Sequence, residues 1–331
     1  MKFNFFNSIL LKIVVFLIFT NIFKTGYTQN KELMTYFEKS DFKETPVYDS
    51  TISYCKKLAN SSKYVKYQTF GNSGQNRELP LLIVDLNGNF TPEKVKKSGN
   101  LTVLIQACIH AGEPDGKDAG LMLIRDLIVN KSKQELFKNI TLLFIPILNV
   151  DGHERFGKYN RINQNGPKEM GWRTNANNLN LNRDYLKVDS KEIKHWLTLF
   201  NRWDPDFFID CHTTDGADYQ YVITYVLDTE GNCDLQLSEW QKNTFLKKIE
   251  PMMSESSNPI FPYVTFRNWH DPRSGIKSGV SPTMLSQGYT IARNRPGLLI
   301  ETHMLKDYKT RVFGTYYMIE NRSNTNIIIS S

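Results

Sequence analysis

HAGEPDGKDAG, residues 110–120, separates two apolar runs, LTVLIQACI at 101–109 and LMLIRDLIV at 121–129. The first run has the length and aliphatic content of a buried strand, and the spacing of the second predicts a helix over 114–129. Pro114 falls at a first helical position, where its missing N–H costs nothing, and Asp115 follows where a carboxylate favours the helix dipole. ITLLFIPILNV at 140–150 reads as a second strand. Strand, helix and strand at this spacing form a βαβ unit, so part of the sheet is parallel and covered on both faces. His110 and Glu113 then lie at the carboxyl edge of that sheet, where open α/β sheets bind ligands.

Outward from this unit, residues 63–71 and 77–88 read as paired strands with a Gly/Asn turn between, preceded by short helices within 31–46 and 50–62. Residues 151–184 are rich in Asn, Gly and Arg with few aliphatics, and a loop of that length in a compact domain is functional more often than not. A helix is expected over 188–200, strands at 206–212 (DFFIDCH), 219–227 and 297–302 (GLLIET), and helices over 237–249 and 307–323. Residues 259–283 are rich in Pro, Gly and Ser and read as irregular. No repeat or linker divides the chain, so one α/β domain over residues 30–331 is expected.

Composition excludes some classes. With 40% apolar and 23% charged residues the chain is an ordinary globular sequence with material for a large core. Residues 1–28 combine Lys2, an apolar run over 9–23 and a polar end, the pattern of a secretory signal peptide; Lys12 and Asn21 break the run too early for a spanning helix. Lys2, Lys12 and Lys24 fall in this segment, so the formal charge of +7 drops by 3 to +4 after its removal, and no basic stripe with interleaved aromatics points to nucleic acid. The expected location is secreted or periplasmic, without a membrane association after cleavage. Four cysteines are too few for a disulfide scaffold, and Cys108 and Cys211, inside apolar runs, read as small buried hydrophobes. Oligomeric state is left open.

A histidine three residues before a glutamate in a tight turn, plus a second strand-terminal histidine, is a pattern that can hold a metal. Two histidines and one glutamate make one of the standard three-ligand sets for zinc in hydrolases. His212 ends a buried strand and is the best third ligand. His195 reads as a surface or boundary residue on an amphipathic helix, His153 and His270 lie in irregular stretches open to solvent, and His303, after the last strand, competes with His212 but fits a base-flanking role better. A bound zinc acidifies a water and polarises a carbonyl, and the attack needs a base, for which Glu301 at the end of another buried strand is placed. Alone, that glutamate would be read as a cap or a salt-bridge partner. Arg173 in the long loop can stabilise an oxyanion, and Asn182 with Arg183 can grip a carboxylate; taken singly, each arginine reads as a surface residue.

The set HAGE, NVDG, GWRTN, NLNRDY, DCH and LLIET, in this order over residues 103–301, resembles the zinc metallocarboxypeptidase family, the carboxypeptidase A-like enzymes. The resemblance implies a mixed, mostly parallel eight-stranded sheet flanked by helices and a single Zn2+ ion held by His110, Glu113 and His212. It further implies Arg173 as carbonyl and oxyanion stabiliser, Asn182 and Arg183 as a clamp on the substrate's terminal carboxylate, and Glu301 as general base. The substrate would be a peptide with a free C-terminal carboxylate. The family's mobile tyrosine has no obvious counterpart; Tyr289 is the candidate, and the same segment should carry the specificity pocket, where Arg293 and Arg295 would suit an acidic side chain or else be solvated loop charges. An N-acyl amino acid deacylase of the succinylglutamate desuccinylase or aspartoacylase type, and a non-catalytic binding module, are the alternatives. None of the seven expected positions is substituted, which counts against the module.

Overall fold

In the computed structural model of the chain, residues 31–322 are described apart from 269 and 278; the expected signal peptide at 1–28 lies outside them. The 3-10 turn Lys31–Leu33 falls outside the main body, which begins at Thr35. Its strands are β1 (Val65–Asn72), β2 (Glu78–Val84), β3 (Leu101–Gln106), β4 (Ile140–Ile145), β5 (Phe207–Thr213), β6 (Ile223–Leu227), β7 (Ile260–Pro262), β8 (Thr265–Asn268), β9 (Asp271–Lys277) and β10 (Gly297–Thr302). Eight of them form one sheet in the order β1-β2-β4-β3-β5-β10-β6-β7. The central four, β4, β3, β5 and β10, run parallel, so their carboxyl ends share one edge. β1 with β2, β2 with β4, and β10 with β6 are antiparallel.

Both faces of the central strands are covered, as their uninterrupted apolar runs require. Val103, Ile105, Ile209 and Cys211 point into one buried layer beneath the helices α1 (Asp115–Val129) and α2 (Tyr308–Arg322). Leu104, Leu143 and Phe208 point into the other, closed by Ile193, Trp196 and Phe200 of the helix Lys191–Trp203. Cys55, Cys108 and Cys211 are buried free thiols and Cys233 is half-buried, so packing rather than cross-linking holds the body.

Differences from the sequence expectations have local causes. β3 ends at Gln106, short of residue 109, because Cys108 adopts a left-handed conformation (φ 55°) and turns the chain. Ala107, Cys108 and Ile109 are nonetheless fully buried, so their apolarity reported burial rather than strand. The stretch 259–283 is not wholly irregular: β7 joins the sheet edge and β8 pairs with β9 as a hairpin. Short helices at Pro92–Ser98, Lys131–Leu136 and Ser286–Ala292 have no long apolar period and escaped the reading.

Two of the three glycines in the opening fragment are spaced for contact with the sheet. Gly116 and Gly120 lie one turn apart on α1; a Cβ on Gly116 would stand 2.2 Å from Cys211 Cβ, and one on Gly120 would meet the Phe144 ring at 2.3 Å. Gly116→Ala is therefore expected to lower stability by about 1–3 kcal/mol, overpacking outweighing the roughly 1 kcal/mol gained in helix propensity. Thermal unfolding checks this; an unchanged or raised Tm would show that the helix does not lie this close to β5.

Candidate functional site

The turn after β3 and the end of β5 bring the expected ligands together. Glu113 N–H donates to His110 O (3.0 Å), closing a turn that aims both side chains the same way just before α1. His110, Glu113 and His212 are buried, and their ligand atoms lie within 4.8 Å of one another. His212 Nδ1 is 2.9 Å from Glu113 Oε2 and 3.1 Å from His110 Nδ1, which is 3.2 Å from Glu113 Oε1.

The outer atoms of the two rings decide whether this set fits a zinc ion. His110 Nε2 is 3.1 Å from Asn180 Oδ1, whose identity as the oxygen follows from its accepting Asn182 N–H at 3.1 Å. His212 Nε2 is 2.9 Å from Asp210 Oδ2. Both of these outer partners accept, so each ring donates from Nε2 and, in its neutral form, turns an Nδ1 lone pair toward the cluster. Two imidazole nitrogens and a carboxylate oxygen, each oriented from behind, are the donor set zinc prefers. Asp210 is fully buried and accepts a second hydrogen bond from Ser286 Oγ (2.5 Å).

The charges around these atoms shift one another. Burial alone would raise the Glu113 pKa, but the Arg161 guanidinium and the two imidazoles hold it well below the usual carboxylate range. Arg161 also donates to Thr213 O (3.1 Å) and Thr214 O (2.9 Å), tying the His110–Glu113 turn to the end of β5. Burial lowers the His110 pKa; for His212 burial acts in the same sense, but the Asp210 and Glu113 carboxylates outweigh it and raise the value.

β10 lies beside β5 with Glu301 in register with His212, so the strand pairing itself sets Glu301 beside the metal-ligand candidates. Glu301 Oε2 is enclosed and has no hydrogen-bond partner among the described residues. Burial pushes its pKa up to about 8, aided by the Glu113 and Asp215 charges and opposed by His212 and Arg161. A cleft of about 660 Å³ opens here, lined at this end by His110, Glu113, Arg173, Asn182, Arg183 and His212. Arg173 Nη1 is 3.3 Å from Glu113 Oε1. Burial and the charge of Arg173 together lower the Arg183 pKa, and both cations line the opening. Asn182 accepts from Ser286 N–H (2.9 Å), which fixes the strap 279–287 against the cleft.

Three sequence expectations need correction. Tyr289 does not line the cleft: it sits on the helix Ser286–Ala292, packed against Tyr185, Trp196 and Phe200 with ring centroids 5.8, 6.1 and 6.0 Å away. Its amphipathic ring suits that half-buried aromatic layer, and Tyr263 and Tyr225 are the tyrosines that line the opening. Arg293 and Arg295 likewise point elsewhere, toward Asn201 (3.2 Å) and Asp204 (2.7 Å). His153 is fully buried rather than open to solvent, 2.9 Å from the ammonium of buried Lys117. Sequence reasoning missed Arg161 and Asn180, which lie in the long loop without a periodic signal. Asp210 was missed as well, although residues two apart on a strand share a face and DCH could have placed it beside His212.

Known proteins are similar to this chain over the segment that carries the metal-ligand candidates. The zinc carboxypeptidase family matches residues 51–215, which include all three metal-ligand candidates but not Glu301. Carboxypeptidase 2 of Trichophyton rubrum is 27% identical over 238 residues, covering 68% of this chain and 41% of its own length, so the chain spans about two fifths of that relative. Among solved structures, a metallo-carboxypeptidase from Burkholderia cenocepacia superposes with a TM-score of 0.61 at 16% identity, over 84% of this chain and 69% of that one. A metallo-carboxypeptidase from Pseudomonas aeruginosa, solved with (2-guanidinoethylmercapto)succinic acid, gives 0.60 at 16% identity, over 84% and 68%. The sheet order, the converging His-Glu-His set and the sequence match through the turn and strand that carry it agree, and this chain belongs to the zinc carboxypeptidase family.

Proposed function

We propose that this chain is an exported zinc-dependent carboxypeptidase that hydrolyses the C-terminal peptide bond of peptides. The observation that carries the reading is the register of Glu301 with His212, which sets a carboxylate with one enclosed oxygen, unbonded among the described residues, beside the converging His-Glu-His set in an open cleft. His110, Glu113 and His212 would hold one zinc ion; when bound, it lowers the pKa of a water and polarises a carbonyl oxygen. Glu301 takes the proton of the attacking water and passes it to the leaving amine. Arg173 faces the developing oxyanion, and Arg183 with Asn182 receives the terminal carboxylate, for which the guanidinium fork is the matching donor. Residues 1–28 would direct export. Among the described residues no helix is long and apolar enough to cross a membrane.

The test uses the zinc-loaded chain with an N-benzoylated dipeptide and, separately, an N-acyl amino acid. Release of the C-terminal residue from the dipeptide, abolished by a chelator and restored by zinc, is the expected result. Hydrolysis of the N-acyl amino acid alone would transfer the assignment to the deacylase type.

A further inference from the structure

His212 and Glu301 are each followed by a threonine that closes its strand, Thr213 in β5 and Thr302 in β10, and the two threonines are register partners in turn. Neighbouring residues on a strand point to opposite faces, so the threonine side chains turn away from the side that His212 and Glu301 share, into the layer that holds Cys211 and Ile300. Asp115, the first residue of α1, lies there, 1% exposed. Its Oδ2 accepts from Thr302 Oγ1 (2.6 Å), Thr213 Oγ1 (2.7 Å) and Arg311 Nε (3.1 Å). Arg311, fully buried on α2, also donates to Asn165 O (2.8 Å), Gly166 O (2.7 Å) and Lys306 O (2.7 Å). Two residues before Asp115 stands Glu113, whose Oε2 accepts from Thr213 N–H (3.1 Å).

One carboxylate thus joins four segments: the His110–Glu113 turn through its own backbone, both strand ends through their hydroxyls, and α2 through the guanidinium. The β5–β10 register ends at the threonine pair, so His212 and Glu301 sit one step from the end of the ladder, where backbone pairing constrains them least. A buried ion pair adds little net stability over apolar residues of the same volume; what this one supplies is a fixed point between the two strand ends. Hydrogen bonds to a carboxylate are roughly twice as strong as neutral ones, and a shift of about 1 Å at a reacting centre costs about a hundredfold in rate.

We infer that Asp115 is a positioning residue: through Thr213 and Thr302 it holds His212 and Glu301 at a fixed place relative to the turn that carries His110 and Glu113. The part that concerns Glu301 rests on the carboxypeptidase reading, and the part that concerns His212 rests on the metal-ligand candidates alone. Asp115 does not line the cleft. Thr302 conveys its hold to the base, and Thr213 conveys it to the residues that would hold the ion.

Asp115→Asn would leave the buried Arg311 guanidinium uncompensated, so the test removes the hydroxyls instead. Thr302→Val and Thr213→Val keep the side-chain shape and lose the donor; Thr302→Ser and Thr213→Ser restore it. On the zinc-loaded chain with an N-benzoylated dipeptide, Thr302→Val is expected to lower kcat by about 10–100-fold with KM near native, and Thr302→Ser to recover it. Thr213→Val is expected to raise the zinc Kd by about tenfold, the low end for loss of a group that orients a ligand, and Thr213→Ser to recover it, read by competition against a chromophoric chelator. Rates and affinities are taken per folded chain, with Tm measured on every variant, and alanine replaces a valine that does not fold. A packing role alone lowers Tm while kcat and zinc affinity stay native, and that result overturns the inference; so does a serine variant that behaves like the valine. If the native chain cleaves no peptide the carboxypeptidase reading fails, and the Thr213 series with zinc alone still decides on Asp115. Weakened zinc in the valine variant with recovery in the serine supports it; an unchanged Kd overturns it.

Discussion

Glu301→Gln is expected to lower kcat on a C-terminal substrate by about a thousandfold, within the range a positioned general base contributes, while zinc binding stays native. Glutamine matches glutamate in shape, and Glu301 is not among the three converging ligand residues. No described group depends on its Oε2 for a hydrogen bond, so loss of activity would not be loss of fold. The sign of the pH dependence follows from the protonation state required: a base works deprotonated, so kcat/KM rises as pH passes its pKa. Burial moves that value from 4.5 to about 8, and a bound cation draws it back down, so the acid limb should fall between these two values. Steady-state kinetics on both proteins across this range, with zinc content measured in parallel, makes the check. A variant at full rate, or one that keeps the acid limb, would remove Glu301 from the role of base.

His212→Ala should raise the zinc dissociation constant by at least about a thousandfold, since one of three ligands to an ion bound by roughly 10–16 kcal/mol is lost. It should also destabilise the metal-free chain by about 3–5 kcal/mol, because buried Asp210 loses its imidazole partner. Asp210→Asn separates the two effects: it keeps the ligand, weakens its orientation, and is expected to cost about 10–100-fold in zinc affinity. Competition against a chromophoric chelator gives the affinities and thermal unfolding the stability. Zinc held as tightly by the alanine variant as by the native chain would mean that the ion binds elsewhere.

Much of the fold was legible because buried parallel strands must be apolar on both faces. LTVLIQ, ITLLFI, FFIDC and GLLI announced the central sheet without any knowledge of their partners. The limits of that signal appear at residues 107–109, buried and apolar but not strand, and at the β8–β9 hairpin, whose exposed faces carry no alternating pattern. Metal-ligand candidates could be found because they lie three residues apart in one turn and at one strand end. Arg161 and Asn180 could not, since loop residues reach the site through a chain path that no local rule constrains.

The sequence by itself determined the βαβ core, the identity of the three clustered ligand candidates and the carboxylate at the end of the last strand. These follow from short-range rules of helix entry, strand burial and side-chain chemistry. Only the tertiary structure decided which strands are neighbours, and with that the pairing of Glu301 with His212, the donors and acceptors behind each imidazole, and which of the charges after residue 227 face the cleft. The physical reason is that strand order and loop path are set by long-range burial of the whole sheet, and a change of partner would send Tyr289 or Arg293 to a different surface without altering a single local preference.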